Sequence, residues 1–385
     1  MKHYMGGDTL SVDDGVGFES DFMNRYNVRT DLAVEAHEVI VEREGPPEVP
    51  GVAVENVETS EAKITRMHIR TEAGSRAMGK AMGYYVTLAS EALRNRNKDE
   101  QEDLAQTLAK ELMSYFTYME LAEHASVLVV GLGNWNATPD ALGPKVVGEL
   151  MVTRHLYELS PPELRGGLRS VAAIAPGVLG LTGLETGEIV HGIVSNIRPD
   201  LVICIDALAS RSSNRVCSTI QIADTGINPG SGVGNKRMAI TKETLGCPVL
   251  AIGVPTVVHA MTIAADAMEL LSQEMGFRPR VGLDAPPQAP PNYRLDPGRI
   301  KINLSAQQDG AHAPAPRQDA FGLPVDPQQR KFVVQRLLQP YMGSMIVTPK
   351  DIDALISDVS EVVAGGLNAA LHPALDLTEI LKYLG

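Results

Sequence analysis

At 385 residues and a formal net charge of −13, the chain has room for one large or two ordinary domains and lacks the basic face that a nucleic-acid or anionic-membrane partner needs. Aromatic residues make up only 4%, and the dominance of small and branched aliphatic side chains favours α/β layering over a β-sandwich. Cys204, Cys217 and Cys247 are odd in number and have no C-x-x-C spacing, which fits a reducing compartment without a disulfide frame and leads us to expect a cytoplasmic protein.

The first thirty residues are polar and rich in Gly and Asp. They predict a loosely held extension, with no apolar core of a secretory signal. "EREGPPEVPG" at 42–51 reads as a Pro-rich connector. Leu104, Leu108, Leu112 and Phe116 recur at helical spacing and predict a helix over 99–121. A regular alternation follows: strand 126–131, helix from 138 to about 159, strand 169–177, helix 186–197 and strand 200–208. Two further apolar runs, 217–223 and 247–258, lead into a helix over 259–275. The most apolar stretch, 249–268, is broken by Pro255, His259 and Asp266, so a buried strand and helix explain it better than a membrane span. Residues 277–325 are Pro-rich and read as an exposed insertion, and helices close the chain over about 326–385. The expectation is one α/β domain with a core over about 85–276: a mainly parallel sheet flanked by helices on both faces.

"VVGLGNWNATPDALGP" at 129–144 resembles a cofactor loop that stops short. A dinucleotide fingerprint needs a third glycine where Asn136 stands, and an acid where the second strand ends in Pro176-Gly177. No P-loop, H-E-x-x-H or G-x-S-x-G is present in the sequence. "NPGSGVGNKR" at 228–237 either wraps an anion or forms a loop beside a substrate cleft. We take Gly131, Gly133, Asn134, Gly232, Gly234 and Asn235 as candidates for lining that cleft.

Two acids carry the chemistry, Asp140 and Asp206. The plain alternative for Asp140 is helix capping, with Thr138 as N-cap and Pro139 at the first helical position; "TPKDIDAL" at 348–355 has the same Thr-Pro start. Position argues for more. Asp140 follows one predicted strand and Asp206 ends another, and ligands of open parallel sheets sit beyond the carboxyl ends of strands. Two close carboxylates in apolar surroundings share a proton, so one activates water while the other protonates a leaving group. The same acids, with His259 from the end of its strand, would also suit a divalent metal. His155 lies too far along its helix for that role. Glu185, three residues after Thr182, reads as part of a capping box. Cys204 reads as core, and Gly365-Gly366 as a close helix contact.

The blocks "YNVRTDLAVEA", "VVGLGNWNATPDALGPKVV", "APGVLGLTGLET", "ICIDALASR", "GINPGSGVGNKR", "GVPTVV" and "MIVTPKDID…VVAGGLNAALH" run in order from about 26 to 372. In them the chain resembles the germination protease family of spore-forming bacteria, related in fold to hydrogenase-maturation endopeptidases and their phosphorylase-like sheet. The resemblance implies an endopeptidase made as a self-processing zymogen, usually a homotetramer, in the developing spore. Its substrates are small acid-soluble spore proteins, cut after an acidic residue and before a hydrophobic one and Ala. It assigns the family's aspartic dyad to Asp140 and Asp206 and implies no cofactor, with a divalent metal as runner-up because the hydrogenase-maturing relatives bind one through corresponding acids; the charge balance argues against nucleic-acid and membrane partners. Asp31-Leu32-Ala33, followed by Glu35, matches the cleavage rule. This marks 1–31 as a removable propeptide and 32–385 as the peptidase domain. Without the resemblance, 31–35 reads as an ordinary exposed strand. A metal-dependent peptidase and a non-catalytic binding protein on the same fold are the alternatives.

Overall fold

Runs of branched aliphatic residues form one nine-stranded sheet in a computed structural model of the chain, which describes residues 30–44, 48–159, 168–227, 238–264, 267, 270 and 345–373. The strands are β1 (Val52–Glu58), β2 (Lys63–Ile69), β3 (Gly83–Ala89), β4 (Val127–Gly131), β5 (Val171–Ile174), β6 (Leu201–Ser210), β7 (Thr219–Ala223), β8 (Val249–His259) and β9 (Ile346–Val347). The helices are α1 (Ala33–Glu44), α2 (Glu72–Met78), α3 (Ala92–Asn95), α4 (Lys98–Tyr118), α5 (Leu142–Gly148), α6 (Arg154–Leu159), α7 (Leu179–Thr182), α8 (Thr186–Ile197), α9 (Lys242–Leu245) and α10 (Ile352–Leu371). The chain divides into two compact units, residues 1–262 with 344–385, and residues 263–343. All the strands belong to the first. The second holds the expected Pro-rich insertion 277–325, which lies outside the described residues.

Strand order is β1-β2-β3-β7-β8-β6-β4-β5, with β9 on β8. The stretch β8-β6-β4-β5 is parallel, as the alternating sequence pattern predicts. The remaining pairs are antiparallel, so the α/β class holds while the sheet as a whole is mixed. The ribbon β1-β2-β3 was not legible as strands. Its edge strand β1 is half exposed and carries Glu55 and Asn56 between its valines and Glu58 at its end. That polar mixture hides the run of apolar residues by which a buried strand is recognised.

Alternation along β4 and β6 feeds two cores. Val127 and Val129 with Leu201, Ile203 and Ile205 pack on the face covered by α4, α5 and α10. Leu128 and Val130 with Val202 and Cys204 pack on the opposite face, under Val190 and Val194 of α8. A third, smaller core on that second face gathers Ala33 of α1, Met67, Ile69, Tyr85, Ala223 and Met78 of α2.

Helix α4 forms as its spacing predicts. Asn97 caps it by accepting from the Asp99 N–H at 3.2 Å, and Leu104, Leu108 and Leu112 are buried along one stripe. Its partner α10 is long and apolar enough to cross a bilayer, yet 78% of its most apolar window is buried within the protein. It is a core helix. The Gly365-Gly366 pair does permit close packing, since a Cβ on Gly366 would fall 2.8 Å from the Leu108 side chain.

Three local expectations are corrected. The predicted helix 138–159 is broken into a 3-10 turn at Thr138–Asp140, then α5 and, after a gap, α6. Thr138 is not a cap, because Ala137 occupies the N-cap position of that turn without a side-chain bond. The second Thr-Pro pair also stands outside its helix, with the Thr348 hydroxyl donating to the Thr256 carbonyl at 2.9 Å. Glu185 does cap, but as the N-cap of α8 paired with Glu188, three residues beyond the Thr182–Glu185 box expected.

Candidate active site

In the parallel part of the sheet β4 leads to β5 on one side, while β6 and β8 lie on the other. The crevice between the carboxyl ends of β4 and β6 is therefore the point where strand order reverses, the place such sheets bind ligands. Both acids are there. Pairing of β4 with β6 stops at Gly131 opposite Ile205, one residue before Asp206, and the Leu132 N–H closes the junction on the Ile205 carbonyl at 2.8 Å.

The turn carrying Asp140 packs against β6, β8 and α10. Two glycines hold it there. Gly133, at φ +117, passes so close to the turn that a Cβ would meet the Asp140 carbonyl at 2.0 Å and its carboxylate at 3.2 Å. A Cβ on Gly131 would meet the Gly143 carbonyl at 2.2 Å. Both glycines are buried, and they bring α5 and the Asp140 turn onto the sheet. Asn134 serves the same end, its N–H donating to the Asp140 carbonyl at 2.9 Å. Gly232, Gly234 and Asn235 lie outside the described residues.

Asp206 continues the Val202–Cys204 row of β6 and faces the same side as these residues. Its register partner on β8 is Gly253, whose own partner on β7 is Gln221. Asp206 and Gln221 thus flank a strand position without a side chain, between the core under α8 and the core under α1. Burial pushes the Asp206 carboxyl up to about 8; the Asp140 and Asp31 carboxylates push in the same direction, against a hydrogen bond from the Ala207 N–H. At neutral pH this group holds a proton. Cys204 is fully buried and its thiol is held well above the ordinary range by that burial, so it is core, as expected.

The Leu208 side chain sits over Gly253, and the segment 30–35 bridges β6 and β7 across this gap. Beyond Ile205 the β4-facing edge of β6 is free, and Asp31 takes it: its N–H donates to the Ala209 carbonyl at 3.2 Å, and its carboxylate accepts from the Ala209 N–H at 2.9 Å. Gln221 spans the next peptide, accepting from the Ala33 N–H at 2.6 Å and donating to the Asp31 carbonyl at 3.3 Å. Lys80 donates to the carbonyls of Thr30 and Asp31, each at 2.9 Å. Glu35 is 2% exposed; its carboxylate accepts from the Arg211 and Ser212 N–H groups at 2.7 and 2.9 Å and from the Thr30 hydroxyl, with Arg215 at 3.5 Å. Leu32 is completely buried, worth about 1.5–3 kcal/mol for a side chain of that size. The exposed strand expected at 31–35 is corrected: Asp31 and Leu32 are docked, and α1 starts at Ala33.

The structure does not bring the proposed histidine to the acids. His259 is six residues beyond Gly253, on the order of 15–20 Å along β8, and pairs with Ile346 of β9. His155 is exposed on α6. Among the described residues no group of three or more His, Cys, Asp or Glu is arranged to hold a metal ion.

Comparison with known proteins adds the family. The sequence profile of the germination proteases matches residues 33–384. The chain belongs to the germination protease family. It is 43% identical to the germination protease of Priestia megaterium over 362 residues, covering 92% of this chain and 96% of the relative. It is likewise 43% identical over 360 residues to that of Bacillus cereus, with the same coverage. A solved NiFe hydrogenase maturation protease, HycI of Thermococcus kodakarensis, is 21% identical over 34% of this chain and 74% of its own, with a TM-score of 0.22. Membership in the germination protease family makes the chain a protease, a hydrolase of peptide bonds. Two residues that hold the segment 30–33 escaped the sequence reading: Lys80, in a turn of the unrecognised antiparallel ribbon, and Gln221, in a strand read only as apolar. Lys80 offered no signal; Gln221 did, as the one amide in the run 217–223.

Proposed function

We propose that the chain is a self-processing endopeptidase zymogen. It cuts its own Asp31–Leu32 bond with Asp140 and Asp206, and then degrades small acid-soluble spore proteins during germination. The observation that carries this reading is the docking of Asp31-Leu32-Ala33 against β6 and β7, where the Asp31 and Asp140 carboxylates both act on the proton of Asp206. Asp206 supplies the proton to the leaving nitrogen, and Asp140 takes one from the attacking water. The pair titrates as a unit, so these roles describe the state that starts the reaction.

An intact precursor keeps its gap filled by its own chain, which accounts for a protease that is made inactive. Cleavage leaves a new α-carboxylate beside three aspartates. With the link to Leu32 cut, departure of residues 1–31 opens the place for a substrate with the same acid–hydrophobic–Ala pattern. The working state in this reading is a homotetramer in the spore interior, free of membrane and nucleic acid. An all-oxygen pair of acids also suits a hard divalent cation. Incubation of the purified chain with intact-mass readout, with and without chelator, separates these readings. The aspartic reading predicts a product starting at Leu32 at equal rates in both; loss of the product with chelator alone supports the metal, and no product at all removes self-processing.

A further inference from the structure

The carbonyl of Asp31, whose C–N bond is broken in the proposed self-cleavage, receives two side-chain donors from separate elements of the fold. Lys80 Nζ is 2.9 Å from its oxygen and Gln221 Nε2 is 3.3 Å from it. Neither donor is there by chance of a long side chain. Helix α2 ends at Gly79, whose left-handed φ of 60 turns the chain back. Lys80 is then clamped by Ser75, which accepts the Lys80 N–H at 3.3 Å and donates its hydroxyl to the Lys80 carbonyl at 2.7 Å. Gln221 is buried, fixed in register with Gly253 and Thr87, and its amide oxygen is already committed to the Ala33 N–H at 2.6 Å. That bond orients the amide so that its N–H side faces Asp31.

We infer that Lys80 and Gln221 are the catalytic donors that hold the oxyanion when the Asp31–Leu32 bond is cut. This rests on the self-cleavage reading above. The water oxygen adds to the Asp31 carbonyl carbon while its proton passes to the ionised carboxylate of the dyad. The carbonyl π pair moves onto oxygen, where the Lys80 ammonium and the Gln221 N–H meet it. When the intermediate collapses, C=O re-forms, the C–N bond breaks, and the Leu32 nitrogen takes the proton of the protonated carboxyl. The products are the Asp31 α-carboxyl and the Leu32 α-amine, with no other reactant. Enclosure lowers the affinity of Lys80 for its proton, while Asp31 and Glu35 oppose that. An ammonium in such a place gains more from a new negative charge than one in water. A substrate bound after processing would set the carbonyl of its acidic residue against the same two donors.

The test uses the full chain as wild type, Lys80→Met and Gln221→Glu; the last keeps the acceptor for Ala33 and loses the donor to Asp31. The rate of appearance of the Leu32-initiated chain is followed by intact mass, and hydrogen exchange reports protection of the Asp31 and Ala33 amides. Each variant is expected to cut about 100-fold more slowly or worse with that protection retained. A rate within about threefold of wild type overturns the assignment. So does a slow rate accompanied by loss of protection, since Lys80 would then merely hold the segment in place. If Lys80→Met does not fold, Gln221→Glu decides by the same criteria. A wild-type chain that never yields Leu32 as its first residue sinks the self-cleavage reading itself, a result distinct from either.

Discussion

Asp206 shows how one side chain links stability to pH. Its folded carboxyl is raised from an ordinary 3.8 to about 8, so across that window the folded state keeps a proton which the unfolded chain has lost. Unfolding then releases a proton, and stability falls as pH rises from about 4 to about 8. Asp206→Asn removes the ionisation, and an amide satisfies the same surroundings without charge. The variant should gain about 1 kcal/mol or more over wild type at pH 8 and little at pH 4, read by urea unfolding at the two pH values. Equal gains at both would mean the carboxyl is not the source. Sequence made this residue visible because an acid after Ile203-Cys204-Ile205 is costly unless used. It did not show Asp31 as a third carboxylate acting on it, since 178 residues of chain separate the two backbone partners Asp31 and Ala209.

At the scale of elements, the site depends on how closely α5 approaches the β4–β6 junction. Gly143 lies at that contact: an added Cβ would fall 2.3 Å from the Leu132 carbonyl, 2.6 Å from the Leu132 nitrogen and 2.7 Å from the Ile205 carbonyl. All three are backbone atoms, and two of them form the hydrogen bond that closes the junction. Gly143→Ala should therefore destabilise the protein by about 3 kcal/mol and slow self-cleavage, measured by thermal unfolding and intact mass. An unchanged melting temperature would show that the helix can shift freely. The β4-to-β8 part of this architecture was readable because buried parallel strands are continuous apolar runs. Breakage of the 138–159 helix was not, since Gly148 and the residues after it carry no proline to mark the stop. The ribbon β1-β2-β3 was missed for the reason already given, and with it the turn that places Lys80.

For the whole molecule, the proposed self-processing has one central consequence: the docked segment 30–35 would lie where a substrate binds. A peptide containing Thr-Asp-Leu-Ala-Val-Glu, added to full-length protein, should stay uncut until residues 1–31 are lost and then be cleaved after Asp. A mass-spectrometric time course should show that lag; cleavage at full rate while the precursor is still intact would mean the gap is open from the start. The family and the match of Asp31-Leu32-Ala33 to its cleavage rule were recognisable from ordered sequence blocks. The docking itself was not, because its anchors come from α2, β6 and β7, elements that only the folded sheet brings together.

The most direct measurement is the self-cleavage rate across pH 5 to 9 for wild type, Asp140→Asn and Asp206→Asn, read as the mass of the Leu32-initiated chain. The account predicts a wild-type rate that falls as pH rises through about 8, where Asp206 gives up its proton, and no product from either variant. Product from either variant within about tenfold of the wild-type rate, or a wild-type rate that climbs through that pH, would contradict it.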